Sequence, residues 1–209
     1  MVKIKICGLR RYQDIDYVNE LKVDYAGFVF AKSTRRVDLR LAESLVARLD
    51  KCIKKVGVFV NQSKEFIKEA CSALGLDVIQ LHGDENPDDV AEYAAWGVEV
   101  WKAVRVKDQD VLMYAGKYPV DGILLDAAVH GIYGGTGQTF DWNLLDGVSF
   151  SRKIILAGGL NLQNVCLAIA KIKPYAVDVS SGVETNGFKD YYKMKEFVER
   201  VRNCEKHTR

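Results

Sequence analysis

A thiol and a carboxylate end two short apolar segments of this sequence. Cys7 closes the run Lys3–Cys7, and Asp126 closes the run Asp121–Asp126. A cysteine thiolate can act as a general base, and a protonated aspartate can act as a general acid. Each residue also has an ordinary structural interpretation, because lone cysteines are commonly buried and aspartates commonly cap helices or turns. The pair predicts proton-transfer chemistry if the fold brings both side chains to one cavity.

Two glycine-containing segments later in the chain have the character of an anion site. Gly158-Gly159 precedes Asn161, and Ser180-Ser181-Gly182 follows the next apolar run. Glycines let the backbone approach a ligand closely, and helix N-termini present free N–H groups. Either segment alone is typical of an ordinary turn, but barrels often bind phosphate with their last two loops. We therefore predict a phosphate site formed by Gly158, Gly159, Ser180, Ser181 and Gly182.

Further polar candidates follow the second and fourth runs. His82 stands two residues after Gln80, while Arg35 and Arg36 are adjacent in the segment after the second run. A single histidine is at least as consistent with a structural hydrogen bond as with ligand binding. The two arginines are equally compatible with solvated charges on a loop.

All these candidates lie at or just after the end of an apolar run. Eight such runs alternate with amphipathic segments: Lys3–Cys7, Asp24–Phe30, Lys55–Val60, Asp77–Leu81, Val98–Val104, Asp121–Asp126, Lys153–Ala157 and Tyr175–Ser180. Near-continuous apolar runs indicate strands covered on both faces, in either a closed (β/α)8 barrel or an open doubly wound sheet. The barrel is favoured because the polar signals follow the strands and no GxGxxG follows the first. We predict an α/β fold, a single TIM-barrel domain over residues 1–209.

Several helix boundaries are also predicted. Gly75 ends an apolar stripe, and Asn86 followed by Pro87 is typical of a capped helix start. Asn161 is expected to cap a helix that carries an apolar face of Leu162, Val165, Ile169 and Ile172. The last helix is expected to bury Met194, Phe197, Val198 and Val201, and residues 203–209 are expected to form a frayed tail.

The composition excludes several classes of protein. The chain has 30 basic and 28 acidic residues and a net charge of +2, so no basic footprint for nucleic acid is present. No apolar run approaches the ~20 residues of a membrane helix, and charges interrupt the apolar residues at the start, unlike a signal peptide. Five scattered cysteines without metal-ligand spacing predict reduced thiols in a cytoplasmic protein. We expect no metal and no nucleic-acid or membrane partner, and either a monomer or a homodimer.

The segments around the candidates resemble, in order and spacing, those of the phosphoribosylanthranilate isomerase family of tryptophan biosynthesis. Each segment is weak evidence by itself, whereas the ordered series is specific and spans nearly the whole chain. The matching segments are Lys5-Ile6-Cys7-Gly8, Gly27-Phe28-Val29-Phe30, Val56–Asn61, Gln80-Leu81-His82-Gly83, Leu125-Asp126, Gly135-Thr136-Gly137, Phe140-Asp141-Trp142, Ala157-Gly158-Gly159-Leu160, Asp178–Glu184 and Gly187-Phe188-Lys189-Asp190.

The resemblance implies an Amadori rearrangement of a small sugar phosphate without a cofactor. It implies that Asp126 is the general acid that protonates the furanose ring oxygen. It implies that Cys7 is the general base that removes the C2′ proton. Substrate contacts are expected from Gln80, His82 and Asp178.

One departure from the family pattern concerns the segment after the second strand. The family commonly has a proline where this chain has Thr34, within Lys32-Ser33-Thr34-Arg35. The resemblance implies that Arg35 holds the aromatic carboxylate of the substrate. Without the restraint of a proline, Arg36 remains a rival for that role.

Two other functions stay open at this stage. A related phosphate-binding barrel isomerase of histidine biosynthesis usually has an aspartate at the end of its first strand, which Cys7 disfavours without excluding dual specificity. A catalytically inactive phosphosugar-binding barrel is disfavoured because both Cys7 and Asp126 are present.

Overall fold

Eight parallel strands close into one barrel, as predicted. The computed structural model describes residues 1–127, 139–148 and 151–204. The strands, each paired with the next along the chain, are β1 (Lys3–Cys7), β2 (Tyr25–Val29), β3 (Lys54–Phe59), β4 (Val78–Leu81), β5 (Glu99–Val106), β6 (Gly122–Ala127), β7 (Lys153–Leu156) and β8 (Ala176–Val179). The barrel closes where β1 pairs with β8, with Lys3 opposite Ala176. Each predicted run contains most of one strand.

Side chains alternate along each strand between two buried layers. In β1, Ile4 and Ile6 pack in the layer beneath the helices, whereas Cys7 belongs to the cluster inside the barrel. The rings of Tyr25 and Trp101 fill part of that interior, with their centroids 5.0 Å apart. Because both layers exclude water, the strands are apolar on both faces, which explains the near-continuous runs.

Within the described ranges, seven α-helices surround the barrel. They are α1 (Tyr12–Leu21), α2 (Leu39–Val46), α3 (Lys64–Leu74), α4 (Pro87–Ala91), α5 (Gln109–Ala115), α6 (Val165–Ile172) and α7 (Tyr191–Cys204). Asn86 caps α4 by accepting the Asp89 N–H at 2.9 Å, and Gly75 ends α3 in the left-handed conformation, as predicted. The four predicted side chains of α7 are buried. Among the described helices, none is both long enough and apolar enough to cross a lipid bilayer.

The helix boundary at Asn161 was predicted wrongly. α6 begins at Val165, and Asn161 instead stabilises the preceding turn by accepting the N–H groups of Gln163 at 2.9 Å and Asn164 at 3.2 Å. An asparagine side chain supports a turn as readily as a helix cap, so its presence alone does not separate the two. At the other end of the chain, α7 continues through Cys204, two residues into the predicted tail, and residues 205–209 lie outside the described ranges.

The connection after β8 contains structure that the periodicity did not indicate. A short 3₁₀ helix (Ser181–Val183) leads into a hairpin of β9 (Glu184–Thr185) and β10 (Phe188–Lys189), which precedes α7. Between β6 and β7 the described residues form a 3₁₀ helix, Trp142–Leu145. The glycine segment at 134–137 falls outside the described residues.

The expectation that all cysteines are reduced thiols is contradicted at one pair. Cys166 on α6 and Cys204 at the end of α7 form a disulfide, with Cα atoms 5.6 Å apart. The two helices pack side by side, and this brings together residues that are 38 positions apart in sequence. Cysteine spacing could not reveal the pairing, because it depends on helix packing. Cys7, Cys52 and Cys71 are free.

Candidate active site

A cavity of about 680 Å³ opens at the carboxyl ends of the strands. Its walls come from strand ends and from the loops that follow them, which is the usual location of a barrel active site. Among the described residues, no group of three or more potential metal ligands is present. Ten of the eleven predicted site residues line the cavity: Cys7, Arg35, Gln80, His82, Asp126, Gly158, Gly159, Asp178, Ser180 and Ser181.

The eleventh residue, Gly182, lies where the two predicted phosphate loops touch. A Cβ atom at Gly182 would stand 2.0 Å from the carbonyl oxygen of Leu160, so only glycine fits there. On the facing loop, Gly158 and Gly159 have φ angles of +75° and +63°, which glycine adopts without strain. Both loops therefore bring bare backbone close to the cavity, as recognition of an anion by N–H groups requires.

Asp126 is held in one orientation by hydrogen bonds to both of its oxygens. Its Oδ1 accepts the N–H of Ala127 at 2.8 Å, and its Oδ2 lies 3.0 Å from Nε2 of His82. The other ring nitrogen of His82, Nδ1, lies 2.9 Å from Nε2 of Gln80. The structure thus links Gln80 and His82, which sequence reasoning assigned to the substrate, directly to the candidate acid.

On the opposite wall, the Cys7 thiol is buried next to an ammonium group. Lys5 precedes Cys7 by two residues, so strand alternation points both side chains into the barrel. The Lys5 side chain is completely buried, and its Nζ bonds Oδ2 of Asp178 at 2.8 Å. Burial raises the pKa of the Cys7 thiol, and the charge of Lys5 opposes this rise. Burial also favours neutral Lys5, but the charges and hydrogen bonds of Asp178 and Cys7 together outweigh it and raise the pKa of Lys5 above its usual value.

A second buried ammonium group reaches the Cys7 wall from the hairpin. Nζ of Lys189 bonds Oε1 of Glu184 at 2.6 Å and the carbonyl oxygen of Ser180 at 3.0 Å. The Ser180 hydroxyl in turn donates to the carbonyl oxygen of Cys7 at 2.9 Å. Burial lowers the pKa of Lys189, and its charge joins that of Lys5 in opposing the rise in the Cys7 pKa. The hairpin is therefore tied both to a phosphate loop and to the end of β1.

Arg35 lies at the cavity wall and pairs with Glu184. Its Nε and Nη2 donate to the two carboxylate oxygens at 2.8 and 2.6 Å. Burial acts to raise the pKa of Glu184, but Arg35 and Lys189 outweigh it and lower that pKa to about 2. Arg36 is exposed and is not part of the cavity lining. Of the two rival arginines, Arg35 is therefore the one that a ligand in the cavity can meet.

Cys7 and Asp126 face the cavity from strands that are not neighbours. Between β1 and β6 the closed sheet places β7 and β8, whose following loops carry the paired glycines and serines. A small molecule anchored at those loops would have a thiol on one side and a carboxyl group on the other. The arrangement can therefore deliver one proton to such a molecule and remove another.

Sequence reasoning missed three charged residues of the site, namely Lys5, Glu184 and Lys189. All three stand in segments that carry the family resemblance, but no role was assigned to them. Lys5 could have been identified from the sequence, because an ammonium group at an inward position of a buried strand needs a partner of opposite charge. No comparable signal existed for the hairpin pair, since the periodicity predicted no hairpin.

Comparison with known proteins identifies relatives along nearly the whole chain. Residues 4–200 match the family model described as N-(5'phosphoribosyl)anthranilate (PRA) isomerase. An N-(5'-phosphoribosyl)anthranilate isomerase of Thermoanaerobacter sp. (strain X514) is 52% identical over 202 residues, which is 97% of this chain and 98% of that protein. The Acetivibrio thermocellus protein of the same name is 51% identical and covers 98% of each chain.

Solved structures agree with this similarity. The crystal structure of the isomerase from Thermotoga maritima superimposes with a TM-score of 0.85 at 37% identity, covering 97% of this chain and all of that one. A phosphoribosyl anthranilate isomerase in complex with reduced 1-(o-carboxyphenylamino)-1-deoxyribulose 5-phosphate has a TM-score of 0.84 at 36% identity, with the same coverage.

We predict that Gly158→Ala destabilises the protein more than Gly97→Ala. Both glycines have positive φ, at +75° and +72°, so both substitutions strain the backbone. A Cβ at Gly158 would also lie 2.5 Å from the nitrogen of Ala127 and 2.9 Å from Oδ1 of Asp126, whereas nothing lies within 4 Å of one at Gly97. Urea unfolding should show a loss of about 1 kcal/mol for Gly97→Ala and roughly 2–4 kcal/mol for Gly158→Ala. Equal losses would contradict the crowding at Asp126.

We also predict that Glu184 makes stability depend on pH in the acid range. Because its pKa falls from the usual 4.5 to about 2 on folding, its contribution is fully present above pH 4.5 and is lost as pH falls towards 2. The contribution amounts to at most about 3 kcal/mol. In urea titrations, Glu184→Gln should be less stable at neutral pH and should lose less stability between pH 4.5 and 2. Glu196→Gln, which removes a half-exposed carboxylate paired with Arg200, should keep the acid dependence of the unmodified protein.

Proposed function

The chain belongs to the N-(5'-phosphoribosyl)anthranilate isomerase family, and from that membership we propose how its own residues catalyse the reaction. It is an isomerase of tryptophan biosynthesis that converts an aldose into a ketose. The proposed substrate is N-(5-phosphoribosyl)anthranilate, and the product is 1-(2-carboxyphenylamino)-1-deoxyribulose 5-phosphate. The observation that carries the proposal is the single cavity lined by Cys7, Asp126 and both glycine loops.

The phosphate of the substrate binds between the loops after β7 and β8. Gly158, Gly159, Ser180, Ser181 and Gly182 supply backbone N–H groups and two hydroxyls there. Their lack of bulky side chains, together with the close approach of Gly182 to Leu160, supports this assignment. With the phosphate anchored, the ribose lies across the mouth between Cys7 and Asp126, near Asp178.

Asp126 opens the sugar ring as a general acid. Its proton goes to the furanose ring oxygen, the bond between C1′ and that oxygen breaks, and the nitrogen lone pair forms the C1′=N bond of a Schiff base. The carboxylate that remains accepts hydrogen bonds from Ala127 and His82, at 2.8 and 3.0 Å in the present geometry. Donors already in place stabilise this charge without reorganisation.

Cys7 then acts as the general base. Its thiolate removes the proton from C2′, the C–H electrons form a C1′=C2′ bond, and the C1′=N electrons return to nitrogen. The resulting enolamine tautomerises to the ketose. Lys5 and Lys189 favour the thiolate electrostatically and so offset part of the effect of burial on the thiol.

Arg35 binds the anthranilate carboxylate at the far end of the substrate. Its Nε and Nη2 donate to Glu184, which leaves the donors on Nη1 for a second carboxylate. A planar guanidinium suits this role better than an ammonium group, because its donors match carboxylate geometry.

Alternative functions remain a related barrel isomerase of histidine biosynthesis and an inactive phosphosugar-binding barrel. The thiol at the end of β1 disfavours the first, and the presence of both proton-transfer groups in one cavity disfavours the second. We further propose that the enzyme works in the cytoplasm without a cofactor, as a monomer or a homodimer. One Thermotoga maritima relative is described as dimeric.

The fluorescence lost when phosphoribosylanthranilate is consumed tests the function directly. Purified protein should remove the signal, and Cys7→Ser and Asp126→Asn should each lower kcat by about 10²- to 10⁴-fold, because each removes one proton-transfer group. Cys52→Ser, at an exposed free cysteine away from the cavity, is the matched control and should keep the kcat of the unmodified enzyme. Unmodified protein that leaves the signal constant would overturn the isomerase, while an active Cys7 or Asp126 variant would overturn that residue's role.

The two adjacent arginines should differ in their effect on KM. The carboxylate contact persists through reaction at the distant sugar, so Arg35→Ala should raise KM with little change in kcat. A hydrogen bond to a charged group predicts a rise of roughly 10- to 150-fold. Arg36→Ala is the matched control and should change KM far less, because Arg36 is outside the cavity lining. A large rise in the Arg36 variant alone would mean that the loop at Thr34 places the other arginine in the site.

A further inference from the structure

A chain of two hydrogen bonds connects the buried amide of Gln80 to the candidate acid. Gln80 and His82 lie at the carboxyl end of β4, and Asp126 lies on β6. Because β5 stands between these two strands, the imidazole of His82 bridges them across the end of β5. Gln80 is 1% exposed and Asp126 is 5% exposed. Water therefore competes little for these bonds, and their direction is set by the groups themselves.

The direction of the bonds follows from the donors that are present. The Nε2 group of a glutamine only donates, so Nδ1 of His82 must accept and cannot carry a proton. The proton of the neutral ring then sits on Nε2, which donates to Oδ2 of Asp126. Each oxygen of Asp126 then accepts one hydrogen bond, Oδ2 from His82 and Oδ1 from the Ala127 N–H.

Turning the Gln80 amide over, so that Oε1 and Nε2 exchange places, would reverse the direction of both hydrogen bonds. That arrangement has a higher free energy. In the present orientation the buried Oε1 of Gln80 has no hydrogen-bond partner among the described residues. The reversed amide would satisfy Oε1 through an N–H on Nδ1, but it would leave the two N–H donors of the amide buried in its place. Unpartnered buried N–H groups are rarer in proteins than under-satisfied carbonyl oxygens.

We propose that Gln80 and His82 are positioning residues that keep Asp126 competent as an acid. A second proton on His82 would face the N–H groups of Gln80, so Gln80 holds the imidazole in its neutral form. A neutral imidazole orients Asp126 and stabilises the carboxylate left after ring opening. An imidazolium would instead hold Asp126 as a carboxylate before the reaction began. The proposal rests on the assignment of Asp126 as general acid.

Nitrogen NMR of the enzyme labelled at histidine measures the protonation of His82 without any activity. The chain has three histidines, His82, His130 and His207, and the signal lost in His82→Gln identifies the first. The neutral ring of His82 in the free enzyme should carry its proton on Nε2. A proton on Nδ1, or a cationic ring at neutral pH, would overturn the proposal whatever the activity.

Gln80→Glu tests the same idea through the pH dependence of kcat. A carboxylate at this position accepts from Nδ1–H and stabilises the imidazolium, which favours ionised Asp126. The alkaline limb of the kcat profile should move to lower pH by roughly one to three units, the range expected for a new opposite charge beside a carboxyl group. KM should change little. A raised KM with an unshifted profile would assign Gln80 to substrate binding and overturn the proposal.

Two variants of His82 separate positioning from packing. His82→Gln keeps an N–H donor near the position of Nε2, whereas His82→Leu removes the donor and keeps similar bulk. His82→Leu should lower kcat by roughly 10- to 150-fold, as expected for a lost hydrogen bond to a charged group, and His82→Gln should recover most of that loss. Equal losses in both variants would overturn the proposal. Absence of turnover in the unmodified enzyme would instead overturn the isomerase function, and NMR would still decide the direction of the hydrogen bonds.

Discussion

The burial of charge at the carboxyl ends of the strands governs the geometry of the whole site. The side chains of Lys5, Asp178, Lys189 and Glu184 are each less than a tenth exposed. A buried charge is tolerated only beside an opposite one. Lys5 on β1 is therefore held to Asp178 on β8, across the seam that closes the barrel. Lys189 is held to Glu184, which seats the hairpin against the cavity wall.

These pairs leave the Cys7 side of the cavity with an excess of positive charge. Three cations, Lys5, Lys189 and Arg35, stand there against the carboxylates of Asp178 and Glu184. Among these five groups, one positive charge is uncompensated before a ligand or a thiolate is present. Because these side chains are largely buried, this charge acts strongly on nearby groups, and hydrogen bonds hold it in place. Burial still raises the pKa of the Cys7 thiol; the charges of Lys5 and Lys189 oppose part of that rise, and the carboxylate of Asp178 adds to it.

The sequence indicated the strands and the candidate proton-transfer pair, but not the buried charges around that pair. Strands covered on both faces must be apolar throughout, so their runs were recognisable, and Cys7 and Asp126 became candidates because each ends such a run. Lys5 meets a partner 173 positions away, and Arg35 meets one 149 positions away. Such pairs form only when the barrel closes, and no local pattern encodes them. The hairpin that carries Lys189 was missed because its two-residue strands are too short to show periodicity.

The proposed mechanism requires a protonated carboxyl group at Asp126 and an ionised thiol at Cys7. The two side chains therefore need different electrostatic surroundings, and they stand on different strands. In the proposed mechanism Asp126 must keep its proton until the ring oxygen takes it, and the proposed neutral form of His82 donates a hydrogen bond without bringing a full charge. In the same mechanism Cys7 must lose its proton despite burial, which the charges of Lys5 and Lys189 favour and that of Asp178 opposes. An ammonium group beside Asp126, or a neutral imidazole beside Cys7, would favour the wrong protonation state at each end. Because β7 and β8 separate β1 from β6, the charges around Cys7 stand apart from Asp126. A closed barrel can therefore place an acid and a base in one cavity without making their environments alike.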